Sequence, residues 1–466
     1  MHEWDPRRLT TEAETPRSFV AAVVAGFAAI TAFVAAHHEP WRDEADAWLV
    51  VRDIDLSQFF DWTRHAGTPA LWYGLLAPLA RLGLPYESQK WMHLIICIGA
   101  VAIFAARAPL SRLTKVLTVF SYYFAYEYSV IVRSYALAIL LTFAAASLWH
   151  ARAQRPLALG AVLALLCNTN AQGFVIAVAF TIALLAERAV KPAAIAAVGA
   201  IAAWWQVRAP ADPAREGVRH LFNATAIPWT LGNAFAPALP IIAGCAIAAA
   251  VLITVSLTIR GSHTAVISLW IAVAGLLALY SFVWLGGLRH AGFVLVIVLA
   301  AIWIADKTDL RFASAAALLL NGALLLSLCV AAGYWIRDVR EPFSGAKEMA
   351  AFIRSEGSTD IAAHNLTQCE ALLPYLPRTR FWYAGLGAYG TYLKWDAAQE
   401  RALEMPYPVA EERARREFAG RKWLLLFNVE IPDPAAHGFR LLHVTAEPFE
   451  KTDERYWLYA PLWKAR

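Results

Sequence analysis

Charge is scarce in this chain: 17% of its 466 residues are Asp, Glu, Lys or Arg, where soluble domains carry about 25%. With 59% hydrophobic residues and a mean hydropathy of +0.47, that scarcity excludes an ordinary soluble enzyme and identifies an integral membrane protein. Uncharged runs approach the roughly 20 residues a spanning helix needs, so helices rather than a barrel are implied. Cysteine is scarce too. Cys97, Cys167, Cys245 and Cys329 lie inside apolar runs and Cys369 stands alone, a spacing that gives neither a disulfide framework nor a zinc site. A basic stripe with interleaved aromatics is missing, so the net charge of +5 reflects orienting Lys and Arg, and no nucleic-acid partner is expected. There is no internal repeat and no low-complexity segment beyond an Ala/Leu bias. Nor does a small-residue cleavage site follow the first apolar run, which Arg7, Arg8 and Arg17 precede; the run reads as a retained signal anchor.

Eleven runs read as spans: 19–36, 91–106, 113–127, 128–149, 156–168, 171–187, 192–207, 238–259, 264–285, 291–305 and 312–336. The short connections 107–115, 150–155, 187–191, 260–263 and 306–311 hold basic residues, as cytoplasmic loops do. With the basic N-terminus also inside, the direction of every span follows. The count requires that "PALWYGLLAPLARL", 69–82, lies at the outer surface, with Thr68 and Pro69 as N-cap and first-turn pair. The loop 37–90, Glu127 with Arg133, the turn 168–173, the loop 208–237, "GGLRHAG" 286–292 and the tail from about 337 then all fall outside. The expected fold is an all-α polytopic domain, 1–336, followed by an external soluble α/β domain, 337–466. In that tail 345–357 reads as an amphipathic helix, and "TDIAAHN", "KWLLLFN", "FRLLHV" and "RYWLYAPL" read as strands.

Polar residues concentrate in "HHEPWRDEADAWLVVRD", 37–53, directly after the first span. Read as a helix, Asp43 and Asp46 share a face, Ala45, Trp48 and Leu49 form an apolar stripe, and Trp41 stands near its start. Tryptophan favours the membrane interface, and three crowded carboxylates, Asp43, Glu44 and Asp46, raise at least one pKa and supply a general base. The plainer reading is a solvated acidic loop; its place at the membrane exit argues against it. Arg133 has the planar fork for a phosphate, while a Glu127–Arg133 ion pair locking two helices is compatible with that use. Arg289 and His290 offer a second cationic pair, with glycines that let a ligand approach the backbone; the plainer reading is a snorkelling Arg and an interfacial His. Asn168 and Asn170 read as helix caps, His65 beside Gly67 as a substrate contact, although a lone histidine is usually not a ligand. His37, His38 and Glu39 do not share a helix face and are discounted as a metal site. Asn223-Ala-Thr and Asn365-Leu-Thr match glycosylation tripeptides, which recur by chance.

The order "PWRDEADAW", "HAGTPALWYGLLAPLARLG", "YSVIVRSYAL" resembles the GT-C superfamily of membrane glycosyltransferases, nearest the protein mannosyltransferase and aminoarabinose transferase branch, over roughly residues 17 to 140. The resemblance implies a polyprenyl-phosphate sugar donor, catalysis at the outer face of a bacterial cytoplasmic membrane, and a catalytic Asp matching Asp43 with Glu44 as neighbour. The Pro-led segment matches Thr68, Pro69, Leu71, Trp72 and Tyr73. Where relatives carry a second Asp two residues after the Arg, this chain has Tyr135, a role left to Glu127 or absent, so no cofactor is expected and a divalent metal is not supported. The expectation is an inverting transfer to an envelope glycan, lipid or protein, with Asp43 and Glu44 catalytic and Asp46, His65, Glu127, Arg133, Tyr135, Arg289 and His290 binding substrate. The alternative is a lipid-linked glycan flippase or transporter, against which stand the missing repeats and the one-sided polar groups. A non-catalytic scaffold leaves the acidic helix unexplained. Acceptor choice is assigned to 208–237 and the tail.

Overall fold

The computed structural model describes residues 3–462 apart from 12–13, 210–221, 307, 358–359, 397–398, 400 and 403–404; the centre of the expected acceptor loop, 210–221, thus lies outside the described residues. From the N-terminus, α1 (Arg17–His37) leads into three short helices, α2 (Arg42–Asp53), α3 (Phe59–Ala66) and α4 (Leu71–Arg81). The bundle continues through α5 (Ser88–Arg107), α6 (Arg112–Val119), α7 (Tyr135–Leu148), α8 (Pro156–Cys167), α9 (Ala171–Ala186) and α10 (Val190–Val207). It closes with α11 (Ala226–Asn233), α12 (Ile241–Ile259), α13 (His263–Phe282), α14 (Leu288–Ala291), α15 (Phe293–Ile304) and α16 (Leu310–Arg340).

Among the described residues six helices, α1, α5, α10, α12, α13 and α16, are long and apolar enough to cross a membrane. Helices α7, α8, α9 and α15 are apolar but shorter. All of α15, "FVLVIVLAAIWI", is buried, which is why its sequence is apolar all round. Three expectations need correction. The run 113–127 is not one helix: α6 stops at Val119 and a π-helical turn follows at Tyr123–Glu127. Four buried tyrosines crowd this turn, and each hydroxyl must find an acceptor inside the bundle. Tyr122 donates to Glu127 at 2.6 Å, Tyr123 to the Asn233 carbonyl at 2.5 Å, Tyr126 to Asp338 at 3.0 Å and Tyr128 to the Arg289 carbonyl at 2.5 Å. Those bonds, rather than helix propensity, set the backbone. Likewise Thr68 and Pro69 do not cap α4, which begins at Leu71; the Ala70 N–H donates instead to Gln206 of α10 at 2.9 Å. The last helix, α16, also runs on to Arg340, past the expected domain boundary at 336.

The C-terminal part is a six-stranded sheet with helices on both faces. Its elements are α17 (Ala346–Glu356), β1 (Ile361–Ala363), α18 (Leu366–Cys369), β2 (Phe381–Tyr383), β3 (Ala388–Gly390), α19 (Tyr407–Glu417), β4 (Leu424–Phe427), β5 (Phe439–Val444) and β6 (Trp457–Pro461). The order is β3-β2-β1-β4-β6-β5, with β1 parallel to β2 and β4 and the other pairs antiparallel. Met349 and Ile353 of α17 cover one face; Ala410 and Ala414 of α19 cover the other. A strand buried on both sides is a continuous apolar run, as "LLLF" in β4 is. The four strands expected from the sequence are present, as is α17; β2, β3 and α19 were not foreseen.

Helix α2 joins the two parts. Its Ala45 and Leu49 belong to the sheet domain's core with Met349, Leu372 and Tyr383. Its Ala47, Trp48, Val50 and Val51 pack on Trp62, Trp72, Tyr73 and Leu76. Burial of Leu49, Val50 and Val51 is worth about 1.5–3 kcal/mol each, so α2 is clamped from two sides, and the positions left partly open include Arg42, Asp43 and Asp46.

Candidate active site

Those three side chains face a cavity of about 780 Å³. Its other walls are the α3–α4 turn (His65, Gly67, Thr68), Tyr73 of α4, the start of α7 (Arg133, Ser134, Tyr135), Asn170 and Gln172, the α14 segment (Arg289, His290), and Thr367, Glu370 and Trp395 from the sheet domain. Gly67, at φ 67°, ends α3 in the left-handed conformation, which favours glycine and turns the chain at the cavity wall.

The N-terminus of α2 is held by Glu44, whose side chain turns away from the cavity. It accepts the Trp41 backbone N–H at 3.2 Å and the Val132 N–H at 2.7 Å. It also meets His38 Nε2 at 3.1 Å, while His38 Nδ1 meets Asp338 at 2.8 Å. All three side chains are fully enclosed. Burial works against a charged imidazole, but Asp338 and Glu44 together raise His38 to about 9. Lys90 donates to the His38 carbonyl at 2.5 Å. Glu44, expected to act beside Asp43, therefore sits in a network behind the helix.

Asp43 is the carboxylate in the cavity with cations around it. Its Oδ2 lies 3.0 Å from Arg289 Nη2 and 3.3 Å from Arg133 Nη1, and Arg42 Nε is 3.9 Å from Oδ1. Arg133 donates further to the Asp43 carbonyl at 2.5 Å. Burial would raise the Asp43 carboxyl; Arg133, Arg289 and Arg42 outweigh it and hold the group below its ordinary value. Arg289 in turn lies over the Trp41 ring, 4.9 Å from its centroid. The expected Glu127–Arg133 pair does not form: Glu127 accepts the Tyr122 hydroxyl, and Arg133 is turned to Asp43. Glu127 is not among the cavity-lining residues.

Tyr135 and His290 are joined, Oη to Nε2, at 2.7 Å. His290 Nδ1 accepts the Gly287 N–H at 2.7 Å, so a neutral ring carries its proton on Nε2 and donates to Tyr135. The Tyr135 hydroxyl hydrogen is then not used in this bond, and Tyr135 lines the cavity. Burial, with Arg289 and Arg133 close by, lowers His290 far below its ordinary pKa. The glycines of "GGLRHAG" serve packing rather than ligand approach: a Cβ on Gly292 would meet the Tyr123 ring at 2.4 Å, and one on Gly286 the Tyr280 ring at 3.1 Å. Asn170 caps α9, accepting the Gly173 N–H at 2.8 Å, and donates to Ser134 at 3.1 Å. Asn168 donates to the Ala164 and Gly199 carbonyls. Among the described residues no three His, Cys, Asp or Glu side chains group as metal ligands.

Asp46, unlike Asp43, has no arginine in an ion pair among the described residues. Burial, then the Asp43 charge, raises it to about 7 against the pull of Arg133. Glu370, 2% exposed, enters from the turn after α18 and is pushed well above the carboxylate range by burial and by Asp46 and Asp43. Sequence reading missed Glu370, Thr367 and Trp395, which lie in a segment, "LTQCEALLPY", and a loop without motif. Arg42 stood next to the motif and was passed over.

From this polar cavity an apolar groove of about 450 Å³ leads away between α9, α10 and α13, past Phe174, Val175, Trp204 and Phe282. Gly67, Asn170, Ala171, Val207, Leu279 and Val283 line both.

No family model and no curated protein matches the chain. Among solved structures, ArnT from Cupriavidus metallidurans in the apo state aligns with a TM-score of 0.57 at 12% identity, covering 94% of this chain and 98% of that one. The same protein bound to undecaprenyl phosphate aligns with a TM-score of 0.58 at 11% identity, covering 95% and 98%. At such identity the likeness is one of fold, and it extends over nearly the whole of both chains.

Proposed function

We propose that the protein transfers a sugar from a polyprenyl-phosphate donor to an envelope glycan, lipid or protein at the outer face of a bacterial cytoplasmic membrane. The observation that carries this reading is the junction of a cavity holding Arg42, Arg133 and Arg289 with an apolar groove that faces α9, α10 and α13. An amphiphile with an anionic head and a long hydrocarbon tail matches both surfaces at once. The undecaprenyl phosphate bound in one structure of the same fold is such a molecule.

On this reading the tail follows the groove and the phosphate takes Arg133 and Arg289, with the Tyr135 hydroxyl as a further donor. This gives Tyr135 a use where the resembling family has an Asp: it donates to phosphate oxygen instead of holding a cation. Asp43 is the base. In the unliganded cavity its carboxylate is the counter-anion of both arginines, which makes it a weak proton acceptor. A phosphate that draws the guanidiniums away restores its basicity at the moment donor is present. Asp43 then takes the acceptor hydroxyl proton, the oxygen attacks the anomeric carbon, and the bond to the phosphate oxygen breaks on the opposite face with its electron pair. The anomeric configuration inverts. The leaving phosphate is stabilised by charge and needs no proton. The sheet domain, resting on α2, covers the site against water. The basic connections at the other end of the bundle support the outward placement of this one.

The test is transfer of sugar by purified protein in nanodiscs from a panel of undecaprenyl-phosphate sugars to envelope extracts, followed by mass spectrometry. Sugar release or transfer that vanishes in Asp43→Asn is expected. A protein that neither binds undecaprenyl phosphate nor turns over any donor refutes the reading.

A further inference from the structure

We propose that Asp46 of α2 and Glu370 of the sheet domain, with Thr367, form a subsite for the hydroxyl groups of the donor's sugar ring. It rests on the reading that the cavity takes a polyprenyl-phosphate sugar. Two independent observations carry it. First, Asp46 Oδ1, Glu370 Oε2 and Thr367 Oγ1 are each buried without a hydrogen-bond partner among the described residues, and all three residues line the cavity. Glu370 is 2% exposed. A buried acceptor without a donor is costly and points to a group supplied by a ligand. Second, the cations of the cavity are engaged elsewhere: Arg133 and Arg289 with Asp43, and Arg42 with Asp453. Arg133 acts electrostatically on Asp46 and Arg42 on Glu370, yet neither makes an ion pair with them among the described residues. The cavity is thereby divided into an arginine end and a carboxyl end.

Spacing fits the division. Asp46 follows Asp43 by three residues on α2, so the two side chains start about 5–6 Å apart on one face, roughly the width of a sugar ring. A ring whose phosphate sits on Arg133 and Arg289 then reaches across to Asp46 and Glu370. Its hydroxyls donate to Asp46 Oδ1, Glu370 Oε2 and Thr367 Oγ1, while the Asp46 carboxyl keeps its bond from the Leu393 backbone, and the neutral ring keeps phosphate and carboxyls apart. Because Glu370 and Thr367 come from the sheet domain, that domain would read the sugar as well as cover it.

The probes are bare undecaprenyl phosphate and the same lipid phosphate carrying a neutral hexose, a neutral pentose or an amino sugar, titrated against protein in nanodiscs. Wild type is expected to bind at least one neutral glycosylated lipid tenfold or more tighter than the bare lipid. Glu370→Gln should bring that preference to threefold or less and change the bare-lipid affinity less than twofold. Thr367→Val, of similar shape, should lower the preference severalfold and carries the test if Glu370→Gln does not fold. A preference unchanged in a folded variant of either overturns the subsite. So does a wild type that prefers no glycosylated lipid, or one that prefers only the amino sugar, since the carboxyls then read a cation. Wild type that does not bind the bare lipid phosphate refutes the donor reading itself, and this inference with it.

Discussion

Replacing Asp43 with Asn should abolish transfer and, at the same time, tighten the binding of bare undecaprenyl phosphate. The second half follows from what Asp43 does in the empty cavity, where its carboxylate lies 3.0 Å from Arg289 and 3.3 Å from Arg133. A phosphate must compete with it for both guanidiniums. A carboxylate about 5 Å from the incoming charge opposes it by about 3 kcal/mol at an effective dielectric near 20. The Asp43 side chain is 27% exposed, and solvent screening brings the figure to about 1–2 kcal/mol, a roughly 5–30-fold fall in Kd. Isothermal titration in nanodiscs at fixed ionic strength measures it. Asp46→Asn is the control: Asp46 lines the same cavity but pairs with neither arginine, and it is near half protonation at neutral pH, at about 7. Its effect on bare-lipid affinity should be under about threefold. Equal or weaker lipid binding by folded Asp43→Asn, or an equal gain in both variants, would refute the view that Asp43 holds the phosphate site until donor arrives.

Arg133→Lys keeps the charge and loses the fork, so Kd for undecaprenyl phosphate should rise roughly tenfold in the same titration; an unchanged Kd would remove Arg133 from the phosphate site. His38, raised to about 9 between Asp338 and Glu44, stabilises the fold when protonated. Its contribution is full below about pH 6.5 and is lost as pH rises through 9, up to about 3 kcal/mol. Thermal unfolding of wild type should therefore fall from pH 7 to 9.5 more steeply than that of His38→Asn, and parallel curves would count against the network. Asp46 acts in the same direction over a lower pH window. Because the folded protein holds its proton up to about 7, the folded state loses stability as pH rises from about 4 to 7. Asp46→Asn should melt higher than wild type at pH 8, with the gap closing toward pH 4; a variant that melts lower at pH 8 would show that Asp46 is paired there.

Much of the bundle was legible because apolar runs and basic connections are strong signals. The break in 113–127 was not, since hydropathy counts tyrosine as one more large residue and cannot see that Tyr122, Tyr123, Tyr126 and Tyr128 each need an acceptor. Strands β4, β5 and β6 were readable from four to six apolar or alternating residues, and β1, three residues long, from the polar residues that bound its apolar core in "TDIAAHN"; β2 and β3, three residues each, offer no period to register. In the site, Asp43, Asp46, Arg133, Tyr135, Arg289, His290 and His65 lie around one cavity although up to about 250 positions separate them. Glu370 could not be found this way: "CEALL" looks like any apolar turn, and what makes its carboxyl a site element is the docking of the sheet domain onto Ala45 and Leu49.

Glu44 was misassigned for a reason that helical geometry already contained. Successive residues on a helix point about 100° apart, and neighbours at i, i+1 do not share a face. Once 42–53 is helical, Asp43 and Glu44 must look in different directions, whereas Asp43 and Asp46 can share a cavity. An Asp-Glu pair at a helix start therefore divides naturally into one group for the ligand and one for the frame. Here Glu44 takes the N-terminal amide of Trp41 and the amide of Val132, and it meets His38. It thereby ties α2 to the end of α1 and to the loop that carries Arg133. The carboxylate that faces inward fixes the position of the one that faces the arginines, so Glu44→Gln should disturb catalysis by moving Asp43, with its damage appearing in thermal stability and activity together.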